Sequence, residues 1–378
     1  MKVERKKVTE TRKIGFLSLP LTGHLNPLTA LARKLQSRGN EVVFFGVPDV
    51  GVEALVTDSV YMLLQIVPMH LRLPYVQVWN ILHFDLSGST PLSLYGWPHE
   101  TSPEAQARNV AGLQLLNELY EKAIPIAQSY AERNGFEIDW ADPTSTISKL
   151  AVIAQTPKEF DLPIAELPPQ FHYAGPLRDD EGRASVPFPW EKLTGKPLIY
   201  ASLGTLVNGL NKVYRTILDA VSEFPETQLV LSVGKNLDPS DLAPIPSNAI
   251  VVRSAPQTEL LRRSALCITH AGLNTALESL AEGVPMVAIP IGYEQPGVAC
   301  RIAYHGVGEF VELGDLTAGR LTELIAKVRS NPSYRDKAHW FQEIIKEKRG
   351  VDLAANIVER AFRAPQNDAV LTLAESRG

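Results

Sequence analysis

The run Thr269-His270-Ala271-Gly272-Leu273-Asn274-Thr275-Ala276-Leu277-Glu278 concentrates groups that can hold an anion. Leu266–Thr269 reads as a strand, and the spacing predicts a helix over about Asn274–Glu282. The imidazole of His270 then stands at a strand's carboxyl end, just ahead of a helix N-terminus. Unpaired N–H groups and the positive end of the helix dipole can bind a diphosphate there. Gly272 allows close backbone approach, while Asn274, Thr275 and His270 add side-chain donors. Glu278 lies one turn further along the same helix face, where its two acceptor oxygens suit a vicinal diol such as a ribose. A second strand end, Ser202-Leu203-Gly204-Thr205 after Leu198–Ala201, offers hydroxyl and backbone donors to the same crevice. Plainer roles use the same residue types: Asn274 and Thr275 as helix caps, Ser202 and Thr205 as shapers of a turn.

The elements that must carry these groups alternate along the chain. Near the start, Ile14–Leu19 reads as a strand and Gly23-His24-Leu25-Asn26-Pro27 as a loop. A helix then follows with Asn26 as N-cap, Pro27 at its first position and Gly39 closing it. Glu41–Val47 is the next strand, so the pattern is that of a parallel sheet. A Pro-rich stretch from Pro157 to Pro197 breaks the rhythm. Strand and helix then alternate again from Leu198 to Pro290, which predicts a second doubly wound unit. The expected fold is therefore α/β, with two Rossmann-like parallel-sheet domains. Their expected bounds are 1–178 and 197–365, joined by a linker at 179–196 and followed by a tail at 366–378.

One junction breaks the rules. A strand ending near Pro48 is followed almost at once by a strand-like run at Ala54–Thr57, although a parallel crossover takes a dozen residues or more. The expectation is a segment missing around Val50–Gly51. The alternative is an antiparallel hairpin through Asp49–Gly51.

Composition excludes several classes. At 378 residues with 45% apolar and 21% charged, the chain can bury two cores and is no disordered polymer. A net charge of −5 offers no basic field for a phosphate backbone, so nucleic acid is not an expected partner. Cys267 and Cys300 have neither paired nor metal-like spacing, which points to a reducing compartment, the cytoplasm. The eight histidines form no metal-ligand pattern, so no metal is expected. The richest apolar stretch, Ser59–Trp79, is interrupted by Pro68, His70, Arg72 and Pro74 and is not expected to span a membrane. Peripheral contact with a membrane surface stays open.

The run His270-x-Gly272-x-Asn274-Thr275-x-x-Glu278, then Gly283-Val284-Pro285 and Glu294-Gln295, with Ser254-Ala255-Pro256-Gln257 upstream, resembles the donor signature of family 1 nucleotide-sugar glycosyltransferases. Gly23-His24-x-Asn26-Pro27 resembles their acceptor-side motif. The likeness extends over nearly the whole chain and is greatest to bacterial macrolide- and zeaxanthin-type glucosyltransferases. It implies the GT-B architecture, with the active site between the two domains and the donor on the second. It further implies His270, Thr275 and Asn274 on the diphosphate, Glu278 on the ribose, and Glu294 with Gln295 on the sugar hydroxyls. The neighbouring Ala255, Gln257 and Gly272 join the donor site.

On that resemblance His24 would take the proton of an acceptor hydroxyl, a role that suits neutral imidazole near pH 7. Asp58 would stand behind it, fixing its tautomer. Direct displacement would turn an α-linked UDP-glucose into a β-glucoside, with no metal and the UDP-sugar as co-substrate. Two departures stand out. Where many relatives stack the base on an aromatic ring, this chain has Arg253-Ser254; Arg253 is either a planar stacking partner or an exposed ion-paired residue. The N-terminal half, where the family builds its acceptor pocket, is short. Phe84, Trp97, Met69 and Trp79 are the apolar residues left to line it for a small hydrophobic acceptor, a carotenoid, macrolide or polyphenol. The same residues also suit ordinary core. Two rival readings are a UDP-GlcNAc 2-epimerase and a nucleotide-sugar-binding protein without turnover.

Overall fold

The computed structural model describes residues 11–19, 21–44, 51–59, 62–142, 144–179, 185–204 and 210–363. In the first half the chain runs β1 (Lys13–Leu17), α1 (Thr22–Ser37), β2 (Glu41–Phe44), β3 (Ala54–Asp58), α2 (Ile66–Leu71) and β4 (Tyr75–Trp79). It continues through α3 (Pro103–Gly112), α4 (Gln114–Tyr120), α5 (Ala123–Arg133), β5 (Val152–Ala154) and β6 (Phe171–Tyr173). The second half begins with β7 (Leu198–Ser202), α6 (Asn211–Ser222), β8 (Gln228–Ser232), β9 (Ala249–Val252), α7 (Gln257–Leu261) and β10 (Ser264–Thr269). It ends with α8 (Leu273–Ala281), β11 (Met286–Ala288), α9 (Gln295–Tyr304), β12 (Gly308–Phe310), α10 (Ala318–Ser330), α11 (Pro332–Lys348) and α12 (Gly350–Arg363).

The described strands form two six-stranded sheets, ordered β2-β1-β3-β4-β5-β6 and β12-β11-β10-β7-β8-β9. Every neighbouring pair is parallel. Strands β3, β7 and β8 are buried along their whole length, as strands covered by helices on both faces must be, which explains their near-continuous apolar runs. Each sheet has a point where the winding reverses direction, between β1 and β3 in the first and between β7 and β10 in the second. Ligands of such folds bind beyond the strand ends at those points. Asp58 ends β3, Ser202 ends β7, and His270 follows β10 directly.

Two apolar clusters flank the second sheet, one containing residues of α6 and α10, the other residues of α8, α9 and α11. The latter also encloses Leu82 and Phe160 from the first half, so the halves share buried apolar contact. The first sheet packs on α1, and on α12 through Ala354, Ala355, Ile357, Val358 and Phe362. The last helix of the expected 197–365 unit therefore closes the core of the first domain. Amphipathic spacing predicts that a helix packs, not which sheet receives it.

Two expectations change. Strands β2 and β3 lie on opposite sides of β1, both parallel to it, so they form no antiparallel hairpin. The Val50–Gly51 junction lies outside the described residues, as does the tail from 366. Helix α1 starts at Thr22 rather than after an Asn26 cap, because the His24 and Leu25 N–H groups both bond Leu21 O. Pro27 consequently sits inside the helix. Helices α3 and α4 meet at Leu113, beside Gly112, whose Cα packs so closely on Trp97 that a Cβ would stand 2.9 Å from that ring.

Candidate active site

His24 occupies the first turn of α1, with Nδ1 2.8 Å from Asp58 Oδ2. Asp58 is fully buried and His24 is 8% exposed. An ionised carboxylate only accepts, so Nδ1 carries the proton and Nε2 keeps its lone pair. Ser18 Oγ, just past β1, donates to the same carboxylate oxygen at 3.3 Å. Two adjacent strand ends thus supply both supports of the imidazole. The ring lies at the junction of the domains: the Glu294 carboxyl is raised by burial and lowered in part by His24.

Across the junction His270 fits between two glycines. A Cβ on Gly204 or Gly272 would come within 2.6 or 2.5 Å of its ring, and Gly204 also has φ +77°, so both positions exclude side chains. Burial pulls the His270 imidazole down to about 4, which the Ser202 carbonyl only partly offsets, so the ring is neutral at pH 7. Its Nδ1 is buried with no partner among the described residues. Ala271 has φ +62° and Tyr293, two-thirds exposed, φ +56°. Left-handed backbone is uncommon at non-glycine residues, and Ala271 adopts it between His270 and Gly272.

Gln257 ties the inner wall of the cradle together. Its Nε2 donates to Glu278 Oε2 at 2.7 Å and to Thr275 Oγ1 at 3.4 Å, while Tyr200 OH donates to its Oε1 at 3.1 Å. Ser202 Oγ accepts from Gly204 N at 3.3 Å, which is the turn-shaping role. Asn274 reaches away from the cradle: its Nδ2 donates to Gly23 O at 2.6 Å, and its Oδ1 accepts from Gln155 at 2.9 Å. Gln295 Oε1 accepts from the Ile291 and Gly292 N–H groups at 2.9 and 3.0 Å, closing the turn before α9. Arg253 is ion-paired with Asp238 at the surface, and Ala255 packs against the second core. Thr205 lies outside the described residues.

The apolar residues assigned to an acceptor pocket do not assemble into one. Trp79 and Phe84 meet edge to face at 5.3 Å. Met69 packs in a satellite cluster with Phe136 and Trp140. Trp97 stacks on Tyr95 at 3.9 Å, beneath the Arg108 guanidinium. Aromatic composition alone carried no signal separating these groups. Sequence reasoning also missed Ser18, Gln155 and Tyr293; only Ser18, at a strand's carboxyl end, had a positional signal.

A small pocket of about 50 Å³ between the halves is lined by Asn26, Pro27 and Arg33 on α1, by Gln155, and by Asn274 and Glu278 on α8. Among the described residues no cluster of three or more His, Cys, Asp or Glu could hold a metal ion. Nor is any described helix long and apolar enough to cross a membrane.

Two parallel-sheet domains, with a His–Asp pair at their junction, have the architecture of GT-B glycosyltransferases. The solved structure of the kitacinnamycin glycotransferase superposes with a TM-score of 0.73 at 18% identity, over 93% of this chain and 99% of that one. Residues 168–364 match the family described as UDP-glucoronosyl and UDP-glucosyl transferase, and the chain belongs to it. It is 28% identical over 320 residues to a zeaxanthin glucosyltransferase of Pantoea ananas, covering 83% of this chain and 73% of that protein. It is 26% identical to the NDP-glycosyltransferase YjiC of Bacillus subtilis (strain 168), covering 92% and 96%. That alignment runs over 394 positions, more than the 378 residues of this chain, so the relative carries segments that this chain lacks.

Proposed function

We propose that this glycosyltransferase moves glucose from UDP-glucose to a hydroxyl of a small hydrophobic acceptor with inversion at the anomeric carbon, His24 being the base. The 2.8 Å bond from His24 Nδ1 to buried Asp58 carries the reading, because it leaves Nε2 available to take a proton. As the acceptor oxygen bonds to the anomeric carbon, its proton passes to Nε2 and the bond from that carbon to the β-phosphate oxygen breaks. Asp58 supports the imidazolium formed, and the proton leaves to solvent after product departs. The departing diphosphate carries its charge into the N-terminus of α8, beside Thr275 and His270, with Glu278 on the ribose. Proton acceptor and charge stabiliser both come from the chain, so the step is written without a metal.

Similarity to a protein named zeaxanthin glucosyltransferase supports glucose as the sugar and a hydrophobic alcohol as the acceptor. Trp79 and Phe84 are the aromatic pair that could meet such an acceptor. Two buried free cysteines, Cys267 and Cys300, suit a cytoplasmic setting.

The test is a mass-spectrometric screen of UDP-glucose against carotenoid, macrolide and polyphenol alcohols, with His24→Ala alongside. The expected result is a glucoside from the parent and a rate about 10²–10⁴-fold lower in the variant, with UDP binding retained. Full transfer by His24→Ala overturns the assignment of the base. Conversion of UDP-GlcNAc without acceptor would instead identify an epimerase, and UDP-glucose binding with no glucoside from any acceptor a binding protein without turnover.

A further inference from the structure

A line of amide groups joins the two domains beside His24. Gln155, buried just after β5, donates through Nε2 to Asn80 O at 2.6 Å and to Asn274 Oδ1 at 2.9 Å. Asn274 in turn donates through Nδ2 to Gly23 O at 2.6 Å. Both ends of this line are backbone carbonyls, which only accept. The end of Gln155 facing Asn80 must therefore be its NH2, and the atom of Asn274 facing that NH2 must be its oxygen. The remaining Asn274 amide nitrogen is then forced toward Gly23. Its direction is dictated at each step, and no flipped arrangement satisfies every partner.

The acceptor at the far end is unusual. In an uninterrupted helix the carbonyl of Gly23 would take the N–H of the residue four positions on. That residue is Pro27, which has no N–H. Pro27 thus leaves a carbonyl in the first turn of α1, adjacent to His24, without its helical donor. Asn274, in the first turn of α8, supplies a replacement from the other domain. Asn80 adds a second tie, its Nδ2 donating to His24 O at 3.4 Å.

We infer that Gln155 is a positioning residue: through the Asn274 amide and the Gly23 carbonyl that Pro27 keeps open, it sets the His24 helix in register against the diphosphate-binding end of α8. The inference rests on the proposed role of His24 as base. Gln155 acts by aiming Asn274. A latch of two short hydrogen bonds can break when the cleft opens for the nucleotide and reform on closure, restoring the same spacing each time.

The experiment uses the full chain with Gln155→Met, which keeps the volume but removes the donor, Asn274→Ala, the double variant, and Pro27→Ala. Expected is a fall in kcat of about tenfold or more for Gln155→Met, as small misplacements of a reacting group produce. The double variant should be no slower than Asn274→Ala within about twofold, because the two residues act in one line. Pro27→Ala returns an N–H to the Gly23 carbonyl. A purely structural proline would make this change neutral or helix-stabilising, whereas here kcat should fall in the parent and not in the Asn274→Ala background. Hydrogen exchange of the first-turn amides of α1 without substrate should accelerate alike in Gln155→Met and Asn274→Ala. That measurement reads the latch even if no sugar is transferred, separating its failure from failure of the proposed reaction. Independent, multiplying effects of Gln155 and Asn274, or unchanged exchange in α1, would overturn it. Should Gln155→Met not fold, the Pro27→Ala pair decides alone.

Discussion

The Arg301 guanidinium on α9 makes two hydrogen bonds, from Nε at 2.9 Å and from Nη2 at 2.7 Å, to a single oxygen of Asp161 in the other domain. Tyr173 OH donates to the second Asp161 oxygen at 2.8 Å, and His83 stands 3.4 Å from it. All of this is buried apart from part of Tyr173. Burial alone would raise the Asp161 carboxyl, but Arg301, then His83 and the Tyr173 hydrogen bond, hold it below the usual range. His83 is lowered, chiefly by burial, and is neutral at pH 7. An ionised pair buried in a low-dielectric interface thus helps join the two halves, directly beside Phe160, whose ring enters the second core.

Asp161→Ala strands the Arg301 charge in that interface. The expected loss is about 3–5 kcal/mol of unfolding free energy by chemical denaturation. Replacing both partners, Asp161→Leu with Arg301→Met, should recover much of it, since no buried charge is then left unpaired. A carboxyl lowered on folding stabilises above its unfolded value, near 4, and loses that contribution as pH falls through its folded value. The parent should accordingly lose stability more steeply than the double variant below about pH 4.

Asp58→Asn tests the tautomer. Asparagine can present N–H to Nδ1 and so place the imidazole proton on Nε2, removing the lone pair that the proposed reaction uses. The rate of transfer should fall roughly 10²–10⁴-fold while UDP affinity stays within a factor of about two. Equal losses in rate and in UDP affinity would move Asp58 from catalysis to general architecture.

Glu278→Ala tests the ribose contact separately. Loss of hydrogen bonds to a carboxylate should raise the donor KM about 10–100-fold and change kcat little. Gln257→Ala should act in the same direction and more weakly, because Gln257 aims Glu278 by its 2.7 Å bond. Donor affinity unaltered in Glu278→Ala would remove that residue from the ribose.

What could be read in advance were features with a local pattern. His270, Gly272 and Thr275 stand at the strand end and helix start that the spacing indicates, and Glu278 one turn on. Paired strand ends at each reversal of winding then bring His24 to Asp58 although 34 residues separate them. Pro27 suits a first helical position, yet α1 starts earlier because Leu21 O captures the N–H groups of His24 and Leu25. Gln155 had no local signature, since a lone glutamine after a strand gains meaning only from a carbonyl on each side. Arg301 and Asp161 lie 140 residues apart and pair only through domain packing. Likewise the helical stripe of α12 specifies an apolar partner without naming the first sheet. Met69, Trp97 and Phe84 are alike as apolar residues, and only packing divides them among separate groups.

The neutral His270 makes a prediction about acid. In the unfolded chain its imidazole binds a proton near 6.5, whereas in the native protein burial delays that to about 4. Between those values the unfolded state holds more protons, so stability rises with pH across the interval and falls on acidification. Below about 4 the contribution levels off, for a total of at most roughly 3 kcal/mol from this one ring. His83 and His305 are lowered as well and add to the same limb, so the parent's curve alone cannot isolate His270. The difference between the parent and His270→Gln can: acidification from pH 7 to 4 should improve the variant relative to the parent. Parallel curves would mean that the ring is not held neutral. A bound diphosphate reverses the trend by favouring the imidazolium, so UDP binding near pH 5–6 should take up a fraction of a proton, measurable as a buffer-dependent binding enthalpy. That uptake should vanish in His270→Gln, which ties the depressed basicity of the free ring to the anion it faces.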